Sequence, residues 1–77
     1  MQVDSLVRMA NQIGTFFEAM PDREEALEGI AHHLKRFWEP RMRRALLAHV
    51  DQSGPGDTTD LSAMVVEAIS LHRDVLG

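Results

Sequence analysis

Hydrophobic residues fall at steps of three and four in four stretches of this chain, separated by proline or by polar runs. In the first, Leu6, Met9, Ala10, Ile13, Phe16, Phe17 and Met20 recur at helical spacing, which predicts a helix over 3–20 with one apolar side. Asp4 is expected to cap it, its carboxylate accepting from an open amide of the first turn. Gly14 interrupts the run. A glycine inside a helix costs about 1 kcal/mol against alanine, so it marks either a close approach or a weak point. Pro21 ends the stretch.

Asp22 and Glu25 have the spacing of a capping box, and behind them Leu27, Ile30, Ala31, Leu34, Phe37 and Trp38 predict a second helix. Glu24, Glu25 and Glu28 come early in it and Lys35 and Arg36 late, the order that the helix dipole favours. Pro40 is expected at the first position of a third helix, where its missing N–H is no loss. That helix puts Met42, Ala45, Leu46, His49 and Val50 on one side and Arg41 and Arg44 on the other. So short a connection requires a kink or sharp corner, with Phe37 and Trp38 beside it.

Residues 51–60 contain no hydrophobe and read as a flexible loop. A last helix follows over 61–77, with Leu61, Met64, Val65, Ala68, Ile69, His72, Val75 and Leu76 on one face and Asp60 or Ser62 as its cap. The expected fold is all-α: a small bundle of three to four short helices in one domain. Residues 1–50 form a three-helix core region, 51–60 the loop and 61–77 the C-terminal helix.

Composition narrows the function. A chain of 77 residues has room for one small core. It buries only about 60% of its unfolded surface, near the lower limit for folding alone. It contains no cysteine, which excludes disulfides, a thiolate nucleophile and thiolate-bound metal. No apolar run approaches the roughly 18 residues of a membrane span, and Met1-Gln2-Val3-Asp4 does not resemble a secretory signal. The expectation is a cytoplasmic protein outside any membrane.

The net charge of −4 divides into three blocks. Residues 1–31 hold two basic residues against six acidic, and residues 51–77 hold one against five. Residues 32–50 reverse this, with Lys35, Arg36, Arg41, Arg43 and Arg44 against Glu39. A basic band beside aromatic rings suits nucleic acid, but the acidic remainder of the chain repels the same polyanion.

The sequence offers little catalytic machinery. His32 and His33 are adjacent and point about 100° apart on a helix, too far to share a metal. Glu28 and His32 face each other at i, i+4, a common surface pairing. Neither H-x-x-x-H nor H-E-x-x-H occurs, and no glycine-rich phosphate loop follows a strand. No catalytic, cofactor-binding or metal-binding residue is expected.

The aromatic pairs Phe16-Phe17 and Phe37-Trp38 are more informative. Consecutive helical positions diverge, so one ring of each pair can enter the core while the other turns outward. The outward rings, with His33, Arg41, Met42 and Arg43, are expected to form a protein-binding patch. Trp38 is its expected hot spot, worth about 2 kcal/mol or more, because Trp and Arg dominate such sites.

Several stretches carry a family likeness. Met9-Ala10-Asn11-Gln12-Ile13-Gly14, Phe16-Phe17, Ile30-Ala31-His32-His33-Leu34 and above all Phe37-Trp38-Glu39-Pro40-Arg41-Met42-Arg43 resemble the small delta subunit of NAD-dependent, molybdenum-containing formate dehydrogenases. The similarity covers Asp4 to about Leu47. Residues 61–69 look like that family's closing helix but are generic amphipathic sequence, and 51–60 match nothing in particular. The resemblance implies a cytoplasmic complex. In such a complex a large alpha subunit holds bis-molybdopterin guanine dinucleotide and iron–sulfur clusters, and beta and gamma subunits pass electrons to NAD⁺ through FMN and further clusters. It implies an accessory chain without a cofactor of its own, docked on the alpha subunit through Phe16, Phe17, His33, Phe37, Trp38, Arg41, Met42 and Arg43. A transient maturation factor for molybdenum cofactor insertion is the alternative, and a small nucleic-acid-binding helical domain a third reading.

Overall fold

The computed structural model describes residues 3–53 and 60–76, and within them the chain forms five helices and no strand. Helix α1 spans Val3–Glu18. It begins one residue ahead of Asp4, so Asp4 lies in the first turn and does not cap it, although its charge still suits that end of the dipole. The Met20 amide closes the exit turn on the Phe17 carbonyl at 3.0 Å, just before Pro21.

Helix α2, Arg23–Phe37, starts as expected: Asp22 is extended and its carboxylate accepts from the Glu25 amide at 3.3 Å. It stops at Trp38, whose amide reaches the Leu34 carbonyl while its backbone turns extended (φ −96° at Asp22, φ −92° at Trp38). Glu39 precedes a proline, a position that disfavours helical backbone, and Pro40 opens α3, Pro40–Ser53. The corner is therefore written in two residues.

Helix α3 runs three residues into the stretch read as loop. Asp51 receives the Arg73 guanidinium, and this tertiary ion pair holds a last turn that has no apolar residue of its own. Residues 54–59 of that stretch lie outside the described residues. Helix α4, Ala63–Leu71, is capped by Ser62, whose hydroxyl oxygen accepts from the Val65 amide at 3.3 Å. Asp60 does something else: its carboxylate sits 2.6 Å from Nε2 of His49. The single last helix expected from periodicity is divided at His72, and α5 takes Arg73–Leu76. The break brings the chain end back onto α2, where Leu76 is buried and its carbonyl meets Arg43.

Helix α2 is the centre of the bundle and packs on all four others. Ile30, Leu34, Leu46, Val65 and Ile69 are fully enclosed, and among the described residues no polar or charged side chain is buried. The radius of gyration is 11.2 Å, against about 11.5 Å for a compact domain of this length. Helix α4 approaches α1 closely at Gly14. Asn11 donates from Nδ2 to the Asp60 carbonyl and accepts from the Ser62 amide, both at 2.8 Å, so one amide side chain holds the backbone that enters α4. One turn on, a Cβ at Gly14 would stand 2.7 Å from Cγ2 of Val65. The glycine is the close approach that its position suggested.

Candidate docking site

The outer side of α1 carries a second apolar stripe beside the one that faces the core. Leu6, Val7, Ala10 and Gly14 are buried inward, while Met9, Gln12, Ile13 and Phe16 lie at i, i+3, i+4 and i+7 on a neighbouring strip. With Phe17, His33 and Trp38 they line an open groove of about 480 Å³.

A row of rings crosses from α1 to α2 at this groove. Phe16 meets Phe17 edge-on, with centroids 5.2 Å apart and planes at 85°. Phe17 meets His33 at 6.5 Å and 72°, and His33 meets Phe37 at 4.8 Å and 44°. These are the offset and edge-to-face arrangements that ring quadrupoles favour. The row ends in solvent on both sides: Phe16 is 72% exposed and Phe37 67%. Its centre is seated by an absent side chain, since a Cβ on Gly29 would fall 2.4 Å from Cε1 of Phe17.

The residues expected to bind a partner therefore divide. Phe16, Phe17, His33 and Phe37 come together. Each aromatic pair sends one ring in and one out, but Trp38 is the inward member, 5% exposed and part of the core cluster. It cannot protrude as an interface anchor; it contributes a wall of the groove. Its backbone leaves the helix one residue before the proline's neighbour, and that turn carries the ring inside.

Arg43 is also occupied within the fold. Its guanidinium donates to the carbonyls of Trp38 at 2.7 Å, Lys35 at 3.0 Å and Leu76 at 3.3 Å. It thus satisfies the open C-terminal end of α2 and ties α5 to it. Met42 is half-buried against the core, and Arg41 is exposed on the first turn of α3 without lining the groove. Met9, Gln12 and Ile13 were not expected at the site. Their signal was present as a stripe sharing its spacing with Phe16, but it was merged with the core-facing stripe.

Charge is uneven around this surface. Among the described residues, the Lys and Arg side chains without an ion pair or hydrogen bond are Arg8, Lys35, Arg36, Arg41 and Arg44, four of them at the α2–α3 corner. The Arg36 guanidinium lies 5.9 Å from the centroid of the Phe37 ring, within cation–π range. Arg23 and Arg73 are held by Glu67 and Asp51. Arg23 grips Glu67 with two hydrogen bonds, 3.1 and 3.3 Å, from the start of α2 to α4. Those bonds raise the Arg23 pKa and lower that of Glu67.

Elsewhere, Glu28 and His32 are exposed and 4.0 Å apart. Among the described residues no three His, Asp or Glu side chains converge on a possible metal position, and no helix is long and apolar enough to cross a membrane.

Residues 5–69, most of the chain, match the family described as NADH-dependant formate dehydrogenase delta subunit FdsD. No curated protein and no solved structure matches the chain.

Proposed function

Since the chain belongs to the NADH-dependent formate dehydrogenase delta-subunit family, we propose that it is a non-catalytic accessory subunit that docks on the large catalytic subunit and supports its assembly or stability. The observation that carries this reading is the aromatic row, which leaves Phe16 and Phe37 largely in solvent at its two ends, beside an apolar groove that Phe16, Phe17 and His33 line. A domain this small gains from burying large rings, and rings kept outside a well-packed core are the substance of a contact with another protein. The chain's own residues do not suit an iron–sulfur cluster, because it has no cysteine. In this reading the molybdenum cofactor, the clusters and FMN belong to the alpha, beta and gamma subunits, and the complex works in the cytoplasm.

The test is purification of the tagged full-length chain from its native host, with formate oxidation and molybdenum assayed in the same fraction. Equimolar recovery with a large, metal-loaded and active subunit is the expected result. Recovery with metal-free large subunit alone would make the chain a maturation factor, and recovery without any large subunit would overturn the docking reading.

A further inference from the structure

The groove and the basic corner beside it restrict what can lie there. We infer that the occupant is an amphipathic α-helix of the large subunit, apolar along one stripe and bearing carboxylates where it passes the α2–α3 corner. This rests on the docking reading above and adds the chemistry of the docked segment.

Shape is the first argument. Met9, Ile13 and Phe16 extend over roughly 10 Å of α1, about two helical turns, opposite His33 on α2. A helix laid between two helices meets them with anchors at i, i+3, i+4 and i+7. Among the described residues there is no strand edge, so an extended segment would find no backbone ladder to join. A helix arrives with its backbone already paired.

Charge is the second argument. Arg36 stands beside the Phe37 end of the ring row, and Lys35, Arg41 and Arg44 add unpaired cations to that corner against the single carboxylate of Glu39. The acidic first turn of the same helix is turned elsewhere, Glu24 lining a separate hollow with Leu71 and His72. Carboxylates on the occupant are attracted where it passes Arg36 at the Phe37 end of the ring row, which sets the end of the docked helix that lies at the corner. A second copy paired groove to groove would bring no carboxylate to the basic corner, because no residue lining the groove is acidic. Nucleic acid would find the cations but leave an apolar groove unfilled, on a chain of net charge −4.

The experiment places the photo-reactive residue p-benzoylphenylalanine at position 16 of the full-length chain, irradiates it with purified large subunit, and maps the cross-linked peptide. Affinity of Arg36→Glu is measured beside it at low and moderate salt. The inference expects cross-links confined to one acidic, amphipathic helix. It also expects about a tenfold loss of affinity on charge reversal, and wild-type binding that weakens with salt. Cross-links to an extended or basic segment, to a second copy or to nucleic acid would overturn it, as would an unchanged affinity of Arg36→Glu. Those results leave a complex with the large subunit standing, whereas absence of any complex would remove the docking reading itself.

Discussion

Phe37 and Trp38 are neighbours in the chain with opposite surroundings, and the difference is made by the backbone between them. Phe37 is the last residue of α2 and keeps its ring in solvent, while Trp38 leaves the helix and turns its ring into the core. Truncating a buried tryptophan removes its packing and leaves a cavity, at a cost of about 3–5 kcal/mol. A chain of 77 residues has a total stability of only about 4–12 kcal/mol. Trp38→Ala is therefore expected to lower the urea midpoint severely or abolish cooperative unfolding, and a near-normal midpoint would contradict the core assignment. The sequence announced one ring in and one out for each aromatic pair. It did not say which, because the decision depends on where the helix breaks, and Trp is the usual interface anchor by composition alone. The internal role of Arg43 was hidden for a similar reason: its three carbonyl partners come from α2, the corner and α5, and only the fold brings them together.

At the scale of elements, two glycines make opposite predictions. At Gly14 an added methyl meets Val65, which is fully buried and cannot yield, so the gain of about 1 kcal/mol in helix propensity is outweighed by overpacking of about 1–3 kcal/mol. Gly14→Ala is expected to lower the melting temperature, and a rise would contradict the α1–α4 approach described here. At Gly29 the methyl meets the Cδ1–Cε1 side of the half-buried Phe17 ring, a side chain on the rim of the core that has to shift to make room. Gly29→Ala is expected to leave stability within about 1 kcal/mol of wild type while weakening the docking contact, because the ring row loses its centre. Unaltered affinity for the large subunit would show that Phe17 does not contribute.

The Arg23–Glu67 bridge between α2 and α4 adds a pH dependence. Its hydrogen bonds lower the Glu67 pKa, so its contribution is complete above the ordinary glutamate pKa of about 4.3 and is lost as pH falls through the lowered value. Glu67→Gln should melt slightly below wild type at neutral pH, with the gap closing in acid. A gap that widens below about pH 4 would have the wrong sign.

Most of the elements were legible. Capping by Asp22 and Ser62, the proline corner and the apolar periods are local signals, and local signals survive into the fold. The last turn of α3 and the break at His72 were not, since both depend on partners distant in sequence: Arg73 for Asp51, and Arg43 for the Leu76 carbonyl. Asn11 escaped notice because a polar residue on a helix gives no hint that it holds the entry to another.

The whole molecule is a bundle whose core is complete without its most exposed rings. Several residues that carry the family likeness are absorbed by folding: Asn11 and Gly14 seat α4, Trp38 fills the core and Arg43 locks the corner. Phe16 and Phe37 are the most exposed of the rest, and in the proposed reading they belong to the contact with the partner. The most direct test is the double variant Phe16→Ala/Phe37→Ala, with binding to purified large subunit measured beside urea unfolding of the free chain. The expected result is stability within about 1 kcal/mol of wild type and affinity reduced by about 2 kcal/mol or more, roughly thirtyfold. Full affinity in a folded double variant would contradict it and move the contact to another face.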